Sequence, residues 1–392
     1  LPKRQIASAK LVDAILEQIE GMPVIKAFNL TGKGDEKVRE AIENARKTNL
    51  DCEKLFTPYT IAQNILLDSF SILIIGAGIF FYQRGELSFL NTVMTIIISF
   101  LAFSQIKLAG SATTALRVVS GSIEQTKKLE KFPQMDIDGS DIEPNSFDIV
   151  FENVDFSYSG KKILDHISLE IPQNQMTAIV GPSGAGKTTL CNLIARFWDI
   201  DNGRISIGEH NIKEYSLEAL MEQISMVFQN VYLFQDTIEN NIKFAKPDAT
   251  HEEVIEVAKK SCCHDFIMSL PEQYKTMIGE GGASLSGGER QRISIARAMI
   301  KNAPIIIFDE ATANVDPENE DKLQIAMEEL TKNKTVIIIA HRLKTIKNAN
   351  QILVLDNGKI VQRGTHEELI KIDGIYKNFV EARQMAVGWK LS

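Results

Sequence analysis

The chain has 392 residues, 44% of them hydrophobic and 24% charged, a length that favours two domains and a composition within the globular range. A formal net charge of -8 argues against general affinity for nucleic acid, and four cysteines with no C-x-x-C pair give no sign of a disulfide framework or zinc site. The chain begins at Leu1 and carries no signal-peptide pattern, so it is expected to be part of a longer protein.

Residues 10–20 place Leu11, Ile15, Leu16 and Ile19 on one helical stripe. Gly21-Met22-Pro23 is expected to break that helix, because glycine weakens it and proline removes a donor. A short apolar piece, Val24-Ile25-Lys26-Ala27-Phe28, follows, and then a second charged helical stretch over residues 35–54. From residue 55 to 83 the only charge is Asp68, and from 87 to 106 there is none. At about 1.5 Å per residue, each run is long enough for a hydrocarbon core of about 30 Å. The two runs, spans at about 57–82 and 87–107 joined by Arg84-Gly85-Glu86, read as a transmembrane hairpin.

Basic residues lie on the flanks of the hairpin: Lys33, Lys37, Arg39, Arg46, Lys47 and Lys54 before it, and Lys107, Arg117, Lys127, Lys128 and Lys131 after it. They put the flanks on the cytoplasmic side and the turn outside. Asp68 within the first span either lies on a substrate or proton path or is solvated in a cavity with no part in substrate chemistry. Gln63, Asn64 and Gln105 could share that cavity.

Residues 111–130 continue as a polar helix, 133–146 read as an acidic, polar linker, and the tail 383–392 carries no motif. Residues 147–382 alternate strand-like and helix-like runs. Strands are expected at 149–151, 163–169, 176–180, 224–227, 305–308, 336–339 and 352–355. The uninterrupted apolar runs Ile305-Ile306-Ile307-Phe308 and Val336-Ile337-Ile338-Ile339 suit parallel strands covered on both faces, so an α/β core with an antiparallel addition on its N-terminal side is predicted.

Within that core, Gly181-Pro182-Ser183-Gly184-Ala185-Gly186-Lys187-Thr188-Thr189 follows an apolar strand and precedes a helix-like run. This is the context that makes G-x-x-x-x-G-K-T a phosphate-binding loop. The glycines let backbone N–H groups converge on a phosphate, and the helix N-terminus adds free donors and a positive dipole end. Lys187 offers a point charge to the β/γ-phosphates, and the Thr188 hydroxyl a ligand for Mg²⁺. Asp309, ending a buried strand, fits a second Mg²⁺ contact, and Glu310 beside it can orient or deprotonate an attacking water. In Leu285-Ser286-Gly287-Gly288-Glu289-Arg290-Gln291, the hydroxyl of Ser286 and the amides of Gly287 and Gly288 open a helix as a second anion cradle. One nucleotide does not need two cradles from one domain.

Taken together, the phosphate loop, the L-S-G-G-E-R-Q run and Asp309-Glu310 resemble the nucleotide-binding domain of ABC transporters. With the hairpin, helix and linker, the whole chain resembles the back half of an ABC half-transporter of exporter fold. The fold expected is therefore a partial α-helical membrane domain (residues 1–132), then an α/β P-loop ATPase domain (147–382) with an antiparallel β addition and a helical subdomain carrying the signature motif. The resemblance implies ATP and Mg²⁺ as ligands, Mg²⁺ held by Thr188, Gln229 and Asp309. It implies an adenine-stacking role for Tyr158, Glu310 as the catalytic carboxylate, Gln229 as the Q-loop residue and His341 as the γ-phosphate contact.

Thr276-Met277-Ile278-Gly279-Glu280 resembles the loop that precedes the signature in exporters. Ala313-Asn314-Val315-Asp316 sits at the D-loop, keeping the Asp but departing from the usual S-A-L-D at three positions. Residues 21–28 resemble the second cytoplasmic coupling segment, which docks on the partner's ATPase domain. The match leaves the end of the fourth membrane helix, the fifth and the sixth in this chain.

The implied partners are a second half-transporter subunit, the same or related, the lipid bilayer and an unknown transported substrate, with no nucleic acid. The implied location is the cell membrane, multi-pass, with the ATPase in the cytoplasm. Two alternatives stand beside this reading: import of siderophores or metal chelates on the same fold, suggested by Asn314-Val315-Asp316-Pro317-Glu318-Asn319-Glu320, and a soluble ABC ATPase of ribosomes or DNA, against which the two apolar spans speak.

Overall fold

The computed structural model describes residues 2–29, 36–130, 135, 139–282, 284–309, 317–339 and 343–388. The chain divides into two compact units, Leu1–Pro133 and Gln134–Ser392.

The first unit is three helices, α1 (Pro2–Ala27), α2 (Glu36–Gln83) and α3 (Phe89–Glu130). The break expected at Gly21-Met22-Pro23 does not occur, and α1 runs through it to Ala27. Pro23 forfeits one hydrogen bond close to the helix end, a loss the last turn absorbs. The chain turns instead at Asn29, whose φ of 50° lies in the left-handed region that asparagine tolerates and whose N–H reaches the Lys26 carbonyl at 3.2 Å.

The charged stretch and the first span are one helix of 48 residues, about 72 Å long, and the second span and the polar helix after it are likewise one. Sequence reading divides each by polarity, but the backbone continues because nothing in the change of side chains interrupts its hydrogen bonds. Gly85, at φ 75°, makes the sharp turn between them. α2 and α3 pack antiparallel: Gly78 lies against Thr92, Gln63 against Gly110, and the Asp68 carboxylate meets the Lys107 ammonium at 2.5 Å. Both helices include stretches long and apolar enough to cross a membrane, and they carry exposed apolar side chains such as Leu66, Ile72, Ile97 and Leu101. Exposed apolar surface on this scale calls for lipid or further helices.

The second unit has two sheets. Strands β1 (Ile149–Tyr158), β2 (Lys161–Ile171), β3 (Met176–Val180), β4 (Asn202–Ile207) and β5 (His210–Asn211) come first in the chain, with helix α4 (Lys187–Ile194) after β3. Helix α5 (Leu217–Glu222), β6 (Ile224–Val227), α6 (Ile238–Lys243), α7 (His251–Lys260), α8 (His264–Ser269) and α9 (Gly287–Lys301) follow. The chain then adds β7 (Ile305–Asp309), α10 (Pro317–Thr331), β8 (Thr335–Ile339), α11 (Leu343–Lys347), β9 (Gln351–Asp356), β10 (Lys359–Gly364), α12 (His366–Leu369) and α13 (Ile375–Gly388).

The antiparallel sheet runs β2-β1-β4-β5, and the larger sheet runs β10-β9-β3-β8-β7-β6, parallel throughout except for β10. Alternation sorts each central strand between two cores. Ile305 and Ile307 join the core shared with the antiparallel sheet and α4, whereas Ile306 and Phe308 join the core beneath α9, α10 and α13. A strand covered on both faces has no polar position, hence the unbroken apolar runs. A third core, around Ile242, Val254, Ile267 and Tyr274, holds α6, α7 and α8 together. Helix α9 serves two cores, giving Ile293, Ala296 and Ile300 to this helical cluster and Ile295 and Ala298 to the sheet.

Residues 139–146, within the expected linker, lie against the second unit: Ser140 pairs with Tyr215, the Ser216 hydroxyl donates to Asp141, and Ile142 packs on the core. Strands β4, β5 and β10 escape a reading based on apolar runs, because they are short, polar or at a sheet edge.

Candidate nucleotide site

The phosphate loop leaves the C-terminal end of β3 and enters α4. Glycine is required at its first position: a Cβ at Gly181 would fall 2.0 Å from the Leu355 carbonyl oxygen of neighbouring β9. Gly184 and Gly186 take φ of 79° and 103°, which turn the loop back over the helix start. The Lys187 side chain is 8% exposed, and its ammonium donates to the carbonyls of Gly181 (3.0 Å) and Pro182 (2.9 Å) at the mouth of the loop. Those bonds hold a positive charge over the cradle of N–H groups.

Register brings distant residues to this point. In the parallel sheet Ile179 pairs with Ile339, Ile339 with Asp309, and Phe308 with Val227. The segments that follow these strands therefore start along one edge, the edge where open α/β sheets bind ligands. The result is visible at Thr188, whose hydroxyl donates to the Asp309 carboxylate at 3.3 Å across 121 residues of sequence. Two hard oxygen donors side by side at a phosphate cradle suit Mg²⁺. The Asp309 charge is also felt by Cys191 on α4: burial first, and then the carboxylate, push its thiol up and keep it neutral.

Gln229 is exposed two residues beyond β6, and Phe228 beside it accepts a hydrogen bond from Gln291 of α9 at 3.4 Å. Glu310, His341 and the D-loop run at residues 313–316 lie outside the described residues.

Tyr158 ends β1 with its ring held edge-on by Phe156 (4.7 Å between centroids) and Trp198 (5.3 Å). Trp198 was not anticipated. Its signal was available as an aromatic pair, Phe197-Trp198, just beyond the helix of the phosphate loop.

Ser286 is the N-cap of α9 in a complete capping box. Its hydroxyl accepts from the Glu289 N–H, and its own N–H and hydroxyl both donate to the Glu289 carboxylate at 2.8 Å. Ser286 and Gly287 are exposed, so the N-terminal amides of α9 face outward as a second positive dipole end. Arg290, part of the L-S-G-G-E-R-Q run but assigned no role from sequence, ties down the approach to this helix: its guanidinium donates to the carbonyls of Gly282 (3.2 Å) and Leu285 (2.7 Å).

Phosphate loop, carboxylate-ended strand and serine-capped helix, built on a two-sided parallel sheet, define a P-loop ATPase domain, here on a chain that also carries a membrane-type helical hairpin. The family model described as "ABC transporter" matches residues 164–313. The chain is 39% identical over 392 residues to the ATP-dependent lipid A-core flippase of Desulfotalea psychrophila, covering 96% of this chain and 66% of that protein. It is 37% identical over 391 residues to the putative multidrug export ATP-binding/permease protein YgaD of Bacillus subtilis, again covering 96% and 66%.

Among solved structures, a bacterial Atm1-family ABC exporter with ATP bound superposes with a TM-score of 0.89 at 30% identity, over 98% of this chain and 68% of that one. The chain belongs to the ABC transporter family. It combines a helical membrane-type region with the family's ATP-binding ATPase domain in the exporter fold, and it spans 66% of the length of each of the two curated relatives. The similarity to these proteins favours a transporter subunit of exporter fold over the importer and soluble alternatives.

Proposed function

We propose that this chain forms part of a half-transporter that uses ATP to move an amphipathic or lipid-like substrate outward across the cell membrane. The observation that carries the ATP-driven part of this reading is the Thr188–Asp309 contact, where strand register assembles a phosphate cradle, a cation and two oxygen donors at one edge. The direction and substrate class rest on the similarity to a lipid A-core flippase and to a putative multidrug export ATP-binding/permease protein. Residues 181–189 hold the phosphates, Lys187 neutralises them, and Tyr158, supported by Trp198, offers its face to adenine. Thr188, Asp309 and Gln229 would hold Mg²⁺, which would supply positive charge against the phosphates when bound. Glu310 orients and deprotonates water, and His341 contacts the γ-phosphate.

Ser286, Gly287 and Gly288 close over the nucleotide of a second subunit, identical or related, so each site is built from two ATPase domains. The chain contributes two spans to a multi-pass membrane domain. Segment 21–28 is the docking element: Val24 and Phe28 are exposed. Its receiving surface is the exposed aromatic group Tyr232, Phe234 and Phe244 on the partner's ATPase domain, where Phe234 and Phe244 stack at 4.5 Å.

Steady-state hydrolysis by the full-length transporter in lipid tests the assignment. Glu310→Gln is expected to keep ATP binding and to lose hydrolysis by about a hundredfold, the low end of a general-base contribution. Near-normal turnover in that variant would remove Glu310 from the chemistry. The same assay run across lipids, drugs, peptides and metal chelates, scored by stimulation, identifies the substrate class.

A further inference from the structure

Of the three arginines on helix α9, Arg290 and Arg297 are seven residues apart and so close to one face. The first holds the loop before the signature, as described above. The second reaches the segment that follows Gln229. Its Nε donates to the Asn241 carbonyl (2.9 Å), one terminal nitrogen to Asn241 Oδ1 (3.1 Å), and the other to the Tyr232 carbonyl (3.3 Å). Its guanidinium also lies 5.4 Å from the centre of the Phe244 ring.

Asn241, 1% exposed, completes the joint. Its Oδ1 accepts from the Phe234 N–H at 2.9 Å, and its Nδ2 donates to the carbonyls of Phe234 and Thr237, both at 3.0 Å. The amide thus uses two donors and two acceptor positions.

Burial pushes the Arg297 guanidinium down to about 10, and among the described residues no carboxylate pairs with it. A half-buried cation served by carbonyls and one ring is a costly way to fill space, since an apolar side chain of similar volume packs there without the desolvation cost. What the guanidinium supplies is a planar fork of fixed geometry. That fork fastens three segments to one another: residues 232–237, α6 and α9.

We propose that Arg297 and Asn241 are positioning residues that make the aromatic surface of Tyr232, Phe234 and Phe244 move as one piece with α9. Displacement of that surface by a docked segment 21–28 then reaches Ser286, eleven residues or about 16 Å along the same helix. This inference rests on the docking reading above and names the joint through which docking acts.

The test is a double-mutant cycle on ATP hydrolysis by the full-length transporter in lipid nanodiscs, with melting temperatures measured alongside. Phe28→Ala removes an exposed docking side chain, and Arg297→Lys keeps the charge but loses the fork. Each alone is expected to lower kcat about tenfold with the KM for ATP within about twofold, and the two together still only about tenfold, because both cut one path. Asn241→Ser is expected to reproduce Arg297→Lys and likewise to add nothing to Phe28→Ala.

A combined loss of about a hundredfold overturns the joint while leaving docking intact, since independent sites multiply. Normal kcat per folded molecule in Arg297→Lys overturns it as well. Normal kcat in Phe28→Ala removes the docking surface and the joint with it. Absence of hydrolysis by the unaltered protein fails the transporter reading itself.

Discussion

Gly181 and Asp155 show how single residues hold the ATPase domain in shape. At Gly181 the close pass of the Leu355 carbonyl leaves no room for a side chain, so the loop's first residue is dictated by the neighbouring strand as much as by the ligand. Asp155 holds the β1–β2 hairpin that leads to Tyr158. Its carboxylate accepts from the His166 N–H (2.9 Å), His166 Nδ1 (2.7 Å) and Lys162 (3.0 Å). The His166 backbone bond, followed by the side-chain bonds of His166 and Lys162, holds this carboxyl far below its ordinary value of 3.8. A depressed folded-state value means that the stabilisation is complete above pH 3.8 and is lost as pH falls further. Asp155→Asn is therefore expected to lower stability at pH 7, with the difference from the unaltered protein shrinking below about pH 4. Urea melts at both pH values check this, and an equal difference at both would show that packing, and not charge, is what Asp155 provides. Little of this network was legible in the sequence, because His166 and Lys162 are ordinary surface residues until β1 and β2 pair.

At the scale of the element, α2 and α3 supply an outcome that the sequence left open. Asp68 is not alone in its span: Lys107, 39 residues on, meets it across the hairpin. In a low-dielectric surrounding a carboxylate and an ammonium stabilise each other, and either one left alone is costly. Asp68→Asn and Lys107→Gln are each expected to cost about 1–2 kcal/mol, within the range of interhelical polar contacts in membranes. The exchange Asp68→Lys with Lys107→Asp is expected to recover most of the loss. Thermal melts in detergent decide, and no recovery in the exchanged protein would mean that the two groups do not interact in the membrane. The pairing was hidden because the lysine sits at the boundary of its apolar run, where it reads as a flank.

The break forecast at Pro23 failed for a related reason: a local rule about proline carries little weight when one lost bond lies near a helix end. Helix α9 is the opposite case. The helix start at Ser286 was readable from the sequence, since a cap is local, and the structure adds Glu289 as its capping-box partner.

For the whole molecule, the arrangement of cradles has a direct consequence. If the cradle of α9 completes a site on another subunit, two differently damaged subunits rescue each other. Lys187→Ala disables the phosphate loop, and Ser286→Arg blocks the second cradle. Each homodimer is expected to be inactive. An equal mixture yields half heterodimers, each with one intact site of two, so roughly a quarter of the sites work. Co-purified, differently tagged subunits assayed for ATP hydrolysis report this, and a dead mixture would argue that each chain completes its own site.

The sequence by itself determined the class of chemistry and the order of the parts. The phosphate loop, Asp309 and the L-S-G-G-E-R-Q run are compact motifs recognisable from neighbouring residues, and nearly uncharged runs long enough for a membrane need no partner to be recognised. Most central strands were legible for the same reason, since burial on both faces leaves an unbroken apolar run. Only the tertiary structure decided which distant groups meet. Parallel register set Thr188 beside Asp309, hairpin packing set Asp68 beside Lys107, and the seating of α9 against α6 set Arg297 on Asn241. These are contacts over tens to more than a hundred residues. Local composition carries no record of them, because strand register and helix packing are properties of the assembled fold.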